Sequence, residues 1–179
     1  LIGHIAREAA KEDKGLECLL SFYADHYMRA YVRVVDGGAA ADRTIAALGF
    51  IDFDRATGER SVSLERTSSR SIGPLWLGPL HDHDLLTSME AGENLQTMKR
   101  CAKYLDVWRK ELDVPFFYDN DELASLVRTS PRRLDAVLEA LGTEGRVSKT
   151  HFSPTGVRTD LPLEDVLEHV FEVYLQSNP

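Results

Sequence analysis

The chain has 179 residues and a mass of 20.1 kDa, with 43% hydrophobic and 28% charged residues. That length gives one domain or one and a fraction, with enough chain to bury a core without disulfide or metal staples, and the composition excludes wholesale disorder. A net charge of −8 and an isoelectric point near 5.2 speak against a polyanionic partner for the chain as a whole, and no apolar run approaches the roughly 18 residues of a membrane-crossing helix.

In chain order, Ile2, Ile5, Ala9 and Ala10 recur at helical spacing up to Gly15. The opening five residues are too short and too soon charged for a signal peptide, and a start without Met inside an amphipathic pattern reads as a piece of a longer, cytoplasmic protein. Residues 17–24 form a nearly continuous apolar strand, which predicts cover on both faces. Residues 27–35 alternate with period two: Met28, Ala30, Val32 and Val34 point one way, Tyr27, Arg29, Tyr31 and Arg33 the other. Asp36-Gly37-Gly38 ends that strand. Two more are predicted at 45–54 and 60–65, joined by a turn at 55–58, followed by a polar loop at 67–71. The Gly-Pro pairs in 73–80 forbid a long helix and predict a buried, strand-like crossing.

Helices then dominate. Leu85, Leu86 and Met89 mark a short one; Leu95, Met98, Ala102, Leu105, Trp108 and Leu112 mark a long one that Pro115 stops. Residues 116–118 are a short strand and 121–128 a helix. Ser130-Pro131 reads as an N-cap with Pro at the first helical position, opening a helix striped by Leu134, Val137, Leu138 and Leu141 and closed at Gly142 or Gly145. A strand at 146–152, a tight turn at 153–156 and a return at 157–160 complete a helix–turn–helix–hairpin order that is winged-helix-like. A last amphipathic helix carries Leu163, Val166, Leu167, Val170, Phe171 and Tyr174. The fold class is α+β.

The charge is uneven. Residues 28–76 hold seven Lys/Arg against six Asp/Glu and 126–160 hold six against four, whereas 77–125 hold five against ten. The cations are 15 Arg and 6 Lys, a skew that fits either a salt-rich cytoplasm or a GC-rich genome. Cys18 and Cys101 have no paired framework and read as small buried hydrophobes of a reducing compartment.

Four constellations invite chemistry. The face Tyr27, Arg29, Tyr31, Arg33 interleaves aromatics with fixed cations, which suits base stacking and phosphate pairing; an amphipathic strand whose Arg pair with carboxylates is the favoured alternative. Arg146, Ser148, Lys149, Thr150, His151 and Arg158 put donors on a hairpin beside Arg132 and Arg133, a set suited to sugar and phosphate or to a solvated wing. His81-Asp82-His83-Asp84 tempts as a metal site, but neighbours on a strand or helix diverge, and an Asp capping the following helix is simpler. Asp25-His26 reads as a turn before a catalytic pair. Gly37-Gly38 lacks the spacing and following helix of a dinucleotide loop, and no complete catalytic apparatus is visible.

Five segments in order, AREAAK (6–11), LSFYADHYMR (20–29), GPLWLGPLHD (73–82), PFFYD (115–119) and SKTHFSPTGVRTD (148–160), resemble the C-terminal half of the tRNA guanine-26 N(2)-dimethyltransferase family. The resemblance implies an archaeal tRNA-modifying enzyme that moves methyl groups from S-adenosylmethionine to the exocyclic N(2) of guanine at tRNA position 26, and the acidic, Lys-poor composition leaves a haloarchaeal source open. Residues 1–38 would be the C-terminal edge of a Rossmann-like methyltransferase sheet, and 39–179 a mixed α+β tRNA-binding domain with the winged-helix-like part. The S-adenosylmethionine site and the Asp-Pro-Phe-Gly catalytic motif would lie upstream of Leu1 in the chain's own N-terminal methyltransferase domain, leaving this portion inactive alone. No catalytic residue is therefore assigned in this chain. The expected partners are tRNA and that domain, with no membrane. RNA-contacting candidates are Arg29, Arg33, Arg132, Arg133, Lys149, Thr150, His151 and Arg158. Many relatives carry Cys pairs matching 50–70; this chain has none, so no zinc is expected. The family usually shows Arg at Lys149 and Lys at Arg158, swaps that keep charge but change hydrogen-bond geometry. The alternative function is a stand-alone winged-helix nucleic-acid module, weakened by Asp135 and Glu139 on its recognition helix. A metal hydrolase at 81–84 is weaker still.

Overall fold

The opening stripe forms α1 (Ile2–Ala10), which buries Ile2, Gly3 and Ala6. The computed structural model describes residues 1–94 and 96–175, the side chains of 174 and 175 excepted. The chain divides into two compact units, Leu1–Leu85 and Leu86–Pro179. The functional division expected at 38/39 falls inside the first of them.

After α1, β1 (Lys14–Ala24) and β2 (Tyr27–Asp36) pair antiparallel from Lys14↔Asp36 to Ala24↔Tyr27, with a bulge between Cys18 and Leu20. Asp25 and His26 are the hairpin loop, and Asp25 takes φ 55°, a left-handed conformation Asp tolerates. Ile2, Leu16 and Cys18 form a core to which Ile5, Ala30, Val32, Trp76 and Leu80 add. Burial pushes the Cys18 thiol up to about 11, in keeping with its reading as a small hydrophobe. The apolar set of β2 is thus split: Ala30 and Val32 pack inward, while Met28 (67% exposed) and Val34 (52%) stay in solvent. The second edge of β1 bonds to the 80–82 segment, Ser21 N to Leu80 O at 2.8 Å and Asp82 N to Leu19 O at 2.9 Å. The second edge of β2 pairs with no strand among the described residues.

A helix that the glycine pair concealed follows, α2 (Gly38–Ala46). Gly37 turns the chain at φ 117°, and the Ala39-Ala40-Ala41 run, the strongest helix former, then prevails. The helix lies so close to β1 that a Cβ on Gly15 would come within 2.6 Å of Ala40 backbone, and Thr44 Oγ1 accepts from Leu16 N at 2.7 Å. Because α2 takes 45 and 46, the next strand starts late: β3 (Leu48–Phe53) is central between β4 (Arg60–Ser63) and β5 (Ile72–Trp76). Asp54 Oδ1 closes the 55–58 turn by accepting from Ala56 N at 2.8 Å. Asp52 ties down the polar loop, accepting from Ser71 Oγ at 2.8 Å and Ser68 Oγ at 3.2 Å. The crossing at 73–80 is half-buried, not buried, because β5 is a sheet edge and Leu75 is 37% exposed. Asp82 Oδ1 accepts from Leu85 N at 2.9 Å and so caps α3 (His83–Ser88), where the two units join.

In the second unit α4 (Met98–Lys110) buries Leu105 and Trp108; Leu95, expected on the same stripe, lies outside the described residues. Then come β6 (Tyr118–Asp119), α5 (Asn120–Leu126), α6 (Leu134–Leu141), β7 (Val147–Lys149), β8 (Gly156–Thr159) and α7 (Leu163–Leu175). The sheet order is β6-β8-β7, antiparallel throughout. The helix opening expected at Ser130-Pro131 is displaced to Leu134, with Arg133 at the cap position. The reason lies outside the segment: Asn120 Nδ2 donates to the Arg132 carbonyl at 2.6 Å and holds that stretch out of the helix. Tyr118, Leu123, Ala124, Val137, Leu141, Val157, Val166 and Val170 make one core from five elements. Phe171 turns outward at 45% exposure, and the side chain of Tyr174 lies outside the described residues. The fold is mixed α+β, built on small antiparallel sheets. Leu123 is fully buried at the centre of that core, so Leu123→Ala is expected to lower the unfolding free energy of this unit by about 3 kcal/mol, measured by urea denaturation.

Candidate nucleic-acid interface

The two cation-bearing faces singled out in the sequence lie one in each unit. On β2, alternation puts Tyr27, Arg29, Tyr31 and Arg33 on one face. Arg29 lies over the Tyr27 ring, 5.3 Å from its centroid, and its Nη1 donates to Tyr31 Oη at 3.3 Å. Both tyrosines are exposed, at 42% and 48%. Arg33 instead donates to Glu17 Oε2 at 2.8 Å, because the strand register sets Glu17 directly opposite. One face thus realises both alternatives: a carboxylate-paired Arg33, and an Arg29 held by phenol rings.

In the second unit the alternation of β7 sorts the hairpin into an interior and a surface. Ser148 and Thr150 point inward and Lys149 outward. The inward residues converge on Glu111, at the C-terminus of α4, which is 2% exposed. Thr150 Oγ1 donates to Glu111 Oε1 at 2.5 Å, His151 Nδ1 donates to Oε2 at 2.5 Å, and Arg158 Nε lies 3.2 Å from Oε1. Ser148 Oγ accepts from Leu112 N at 2.9 Å, and Arg158 Nη1 donates to Leu112 O at 2.7 Å. Phe152 covers the assembly, its ring 4.0 Å from that of His151 and 5.5 Å from the Arg158 guanidinium. Burial works to raise the Glu111 carboxyl, but donation from His151, with Arg158 and Thr150, outweighs it, and the group titrates below the usual carboxylate range. Burial lowers the Arg158 guanidinium from its ordinary value against the pull of Glu111 and Asp113.

The hairpin tip is tied down separately. Asp119 Oδ1 caps α5 by accepting from Asp121 N at 3.1 Å, and its Oδ2 accepts from Ser153 Oγ at 2.6 Å and Thr155 Oγ1 at 3.0 Å. Burial raises this carboxyl too, and the Ser153 hydroxyl, the Asp121 amide and the Thr155 hydroxyl hold it low.

The eight sequence candidates therefore fall into two groups. Thr150 and Arg158 are buried at 5% and 4%, and the His151 side chain is fully enclosed; these three fasten the hairpin to α4 from within, through Glu111. Arg133 and Lys149 are exposed and Arg132 half-buried, and Lys149 Nζ meets Asp135 Oδ1 of α6 at 2.9 Å. Arg29 and Arg33 are the exposed pair of the first unit. Sequence reasoning missed Glu111: a lone carboxylate at the end of an amphipathic helix carries no local mark, and only the three partners Thr150, His151 and Arg158, 39 to 47 residues further on, reveal it. Of the motif at 81–84, His81 is buried with its Nε2 donating to Ser21 O at 3.1 Å, and Asp82 is the α3 cap.

The fold and these cationic faces define a mixed α+β protein of the kind that presents exposed Arg and Lys from a rigid hairpin. Comparison with known proteins makes this specific. The family described as "TRM: N2,N2-dimethylguanosine tRNA methyltransferase" matches residues 1–171, and the chain belongs to that family. A tRNA (guanine(26)-N(2))-dimethyltransferase of Pyrococcus furiosus is 39% identical over 175 residues, covering 94% of this chain and 46% of the relative. That of Pyrococcus abyssi is 40% identical over 170 residues, covering 92% and 45%. A solved structure of Trm1 from Pyrococcus horikoshii in complex with S-adenosyl-L-methionine superposes with a TM-score of 0.86 at 35% identity, covering 94% of this chain and 47% of that one. The chain spans about half the length of the curated relatives it matches.

Glu111→Gln keeps the volume but leaves Arg158 buried without its counter-charge, and is expected to cost about 3–5 kcal/mol at neutral pH. Glu111 and Asp119 both have lowered folded values, so their stabilisation is complete above the unfolded carboxylate range and is lost as pH falls through the folded values. The urea midpoint is expected to hold from pH 7 to about 5 and to fall below that, less steeply in the Glu111→Gln protein.

Proposed function

We propose that this chain is the C-terminal half of a cytoplasmic, S-adenosylmethionine-dependent tRNA (guanine-26-N(2))-dimethyltransferase, and that it holds and orients the tRNA. The observation that carries the reading is the TM-score of 0.86 over 94% of the chain against 47% of the Trm1 chain. The open edge of β2 supports it. A ten-residue strand whose second edge pairs with no strand among the described residues and which exposes Met28 and Val34 suits a place inside a larger sheet better than a free edge. Residues 1–38 are read as the last elements of a Rossmann-like catalytic sheet and 39–179 as the tRNA-binding part, with α5, α6, β7 and β8 winged-helix-like.

S-adenosylmethionine supplies the methyl group in such a reaction. The cleft in the first unit, whose polar lining is Glu17, Arg43, Thr44 and Trp76, offers it few open groups: the Thr44 hydroxyl is committed to the Leu16 backbone, the Trp76 indole to the Pro79 carbonyl at 3.0 Å and Glu17 to Arg33. The cofactor would be held by the half of the enzyme that this chain does not span. What this chain supplies is register. Directional contacts from Arg29, Arg33, Arg132, Arg133 and Lys149 to phosphate and sugar would position a target guanine without reading its identity. Thr150, His151 and Arg158 would act from inside, by fixing the backbone on which Lys149 stands.

In the full-length enzyme, Arg133→Ala and Lys149→Ala are each expected to raise the KM for tRNA by about three- to tenfold while the KM for S-adenosylmethionine holds, since each removes about one phosphate contact. Steady-state methyl transfer to a tRNA transcript measures both. Unchanged tRNA binding in the doubly substituted enzyme would remove the hairpin from the interface.

A further inference from the structure

The surface cation of the hairpin is not solitary. Ser148 is anchored to the Leu112 amide and Thr150 to Glu111, so the backbone on both sides of Lys149 is fixed and its side chain leaves the hairpin in one direction, toward α6. There it meets Asp135 Oδ1 at 2.9 Å, with the two side chains 52% and 68% exposed. Asp135 stands in the first turn of α6, where the helix dipole favours a carboxylate, and Arg133 is a second cation close enough to lower its pKa. A carboxylate at the centre of a cationic patch looks wrong for RNA binding, since it repels phosphate. An exposed ion pair is weak, however, and a phosphate can displace its acid partner at little cost.

We infer that Asp135 is the counter-ion which Lys149 exchanges for a backbone phosphate, so that this carboxylate sets how readily the hairpin engages RNA. The inference rests on the proposed tRNA-binding role of the hairpin. In the free protein Asp135 holds the ammonium in place and neutralises it toward passing polyanions. In the complex Lys149 turns to phosphate, and the released carboxylate takes up a cation from solution. That uptake offsets part of the counter-ion release that drives binding. The exchange therefore lowers affinity for every RNA contacted at this point and makes the remaining contacts decide which RNA stays.

The test is tRNA binding by the full-length enzyme, titrated with an unmodified transcript over a range of salt. Asp135→Asn is expected to tighten binding about two- to fivefold and to steepen the salt dependence by up to about one ion. In the Lys149→Ala background the gain should fall to half or less. Glu139→Gln, one turn along the exposed face of the same helix, removes the same charge without touching Lys149 and should give a smaller gain. An Asp135→Asn gain that survives Lys149→Ala intact, or that Glu139→Gln equals, would show general repulsion and overturn the exchange. No gain at all would overturn it too, while a loss on Lys149→Ala would leave the hairpin's tRNA role standing. If Lys149→Ala and Arg133→Ala also leave binding unchanged, the tRNA role fails, and the inference with it.

Discussion

The second unit is organised around one buried ion pair. Glu111 and Arg158 are 2% and 4% exposed, and taking two such charges out of water is expensive unless the remaining donors and acceptors are met. Here Thr150 and His151 donate to the carboxylate and the Leu112 carbonyl takes one guanidinium proton, while Arg158 Nε meets Glu111 as an ion pair at 3.2 Å without a hydrogen bond. The pair joins the end of α4 to both strands of the β7–β8 hairpin across a sequence separation of some forty residues. Its value is less in net energy than in geometry. A hairpin fastened by directional bonds to a helix terminus cannot slide by one residue without exchanging its inner and outer faces, and Lys149 would then point into the core.

Much of this architecture is legible in residue order. The stripes of α6 and α7, the alternation of β2, the Asp82 cap and the helix–helix–hairpin succession follow from period and turn chemistry; of the α4 stripe Leu105 and Trp108 are buried while Met98 and Ala102 stay exposed. What escapes is non-local. Two glycines before an alanine run read as a stop, yet Gly37 turns the chain and the alanines start α2 at once. Ser130-Pro131 carries the right residues for a helix start, but Asn120 captures the Arg132 carbonyl and the helix waits until Leu134. Arg29 and Arg33 are equivalent in pattern and differ in fact, because the register set by a bulge at Cys18/Leu20 places Glu17 against Arg33 alone.

The candidate site shows the same limit more sharply. Thr150, His151 and Arg158 look like surface groups because polar and charged residues are seldom buried. Their burial depends on a carboxylate that no local pattern points to. The motif SKTHFSPTGVRTD thus serves two purposes. Ser148, Thr150, His151, Ser153, Thr155 and Arg158 build the hairpin's internal fastening, through Glu111 on one side and Asp119 on the other. Lys149 is the residue turned to solvent among them.

That division bears on how an acidic chain could meet an anionic partner, if the proposed role holds. Net charge governs the long-range field, which salt screens within about 10 Å at ordinary ionic strength; contact energy depends on which cations stand exposed and how firmly they are held. Several of this chain's cations are already neutralised at short range, Lys14 by Asp36, Arg33 by Glu17 and Arg146 by Asp160. The field toward a distant polyanion is weak, and little would be steered to this surface by charge alone. On the proposed tRNA-holding role, selectivity would come from shape: cations on rigid strands that meet phosphates only when an RNA of the right curvature brings them within hydrogen-bond range. An enzyme of that proposed kind would gain from such a surface, because flexible or unstructured RNA offers the same charge without the fixed spacing.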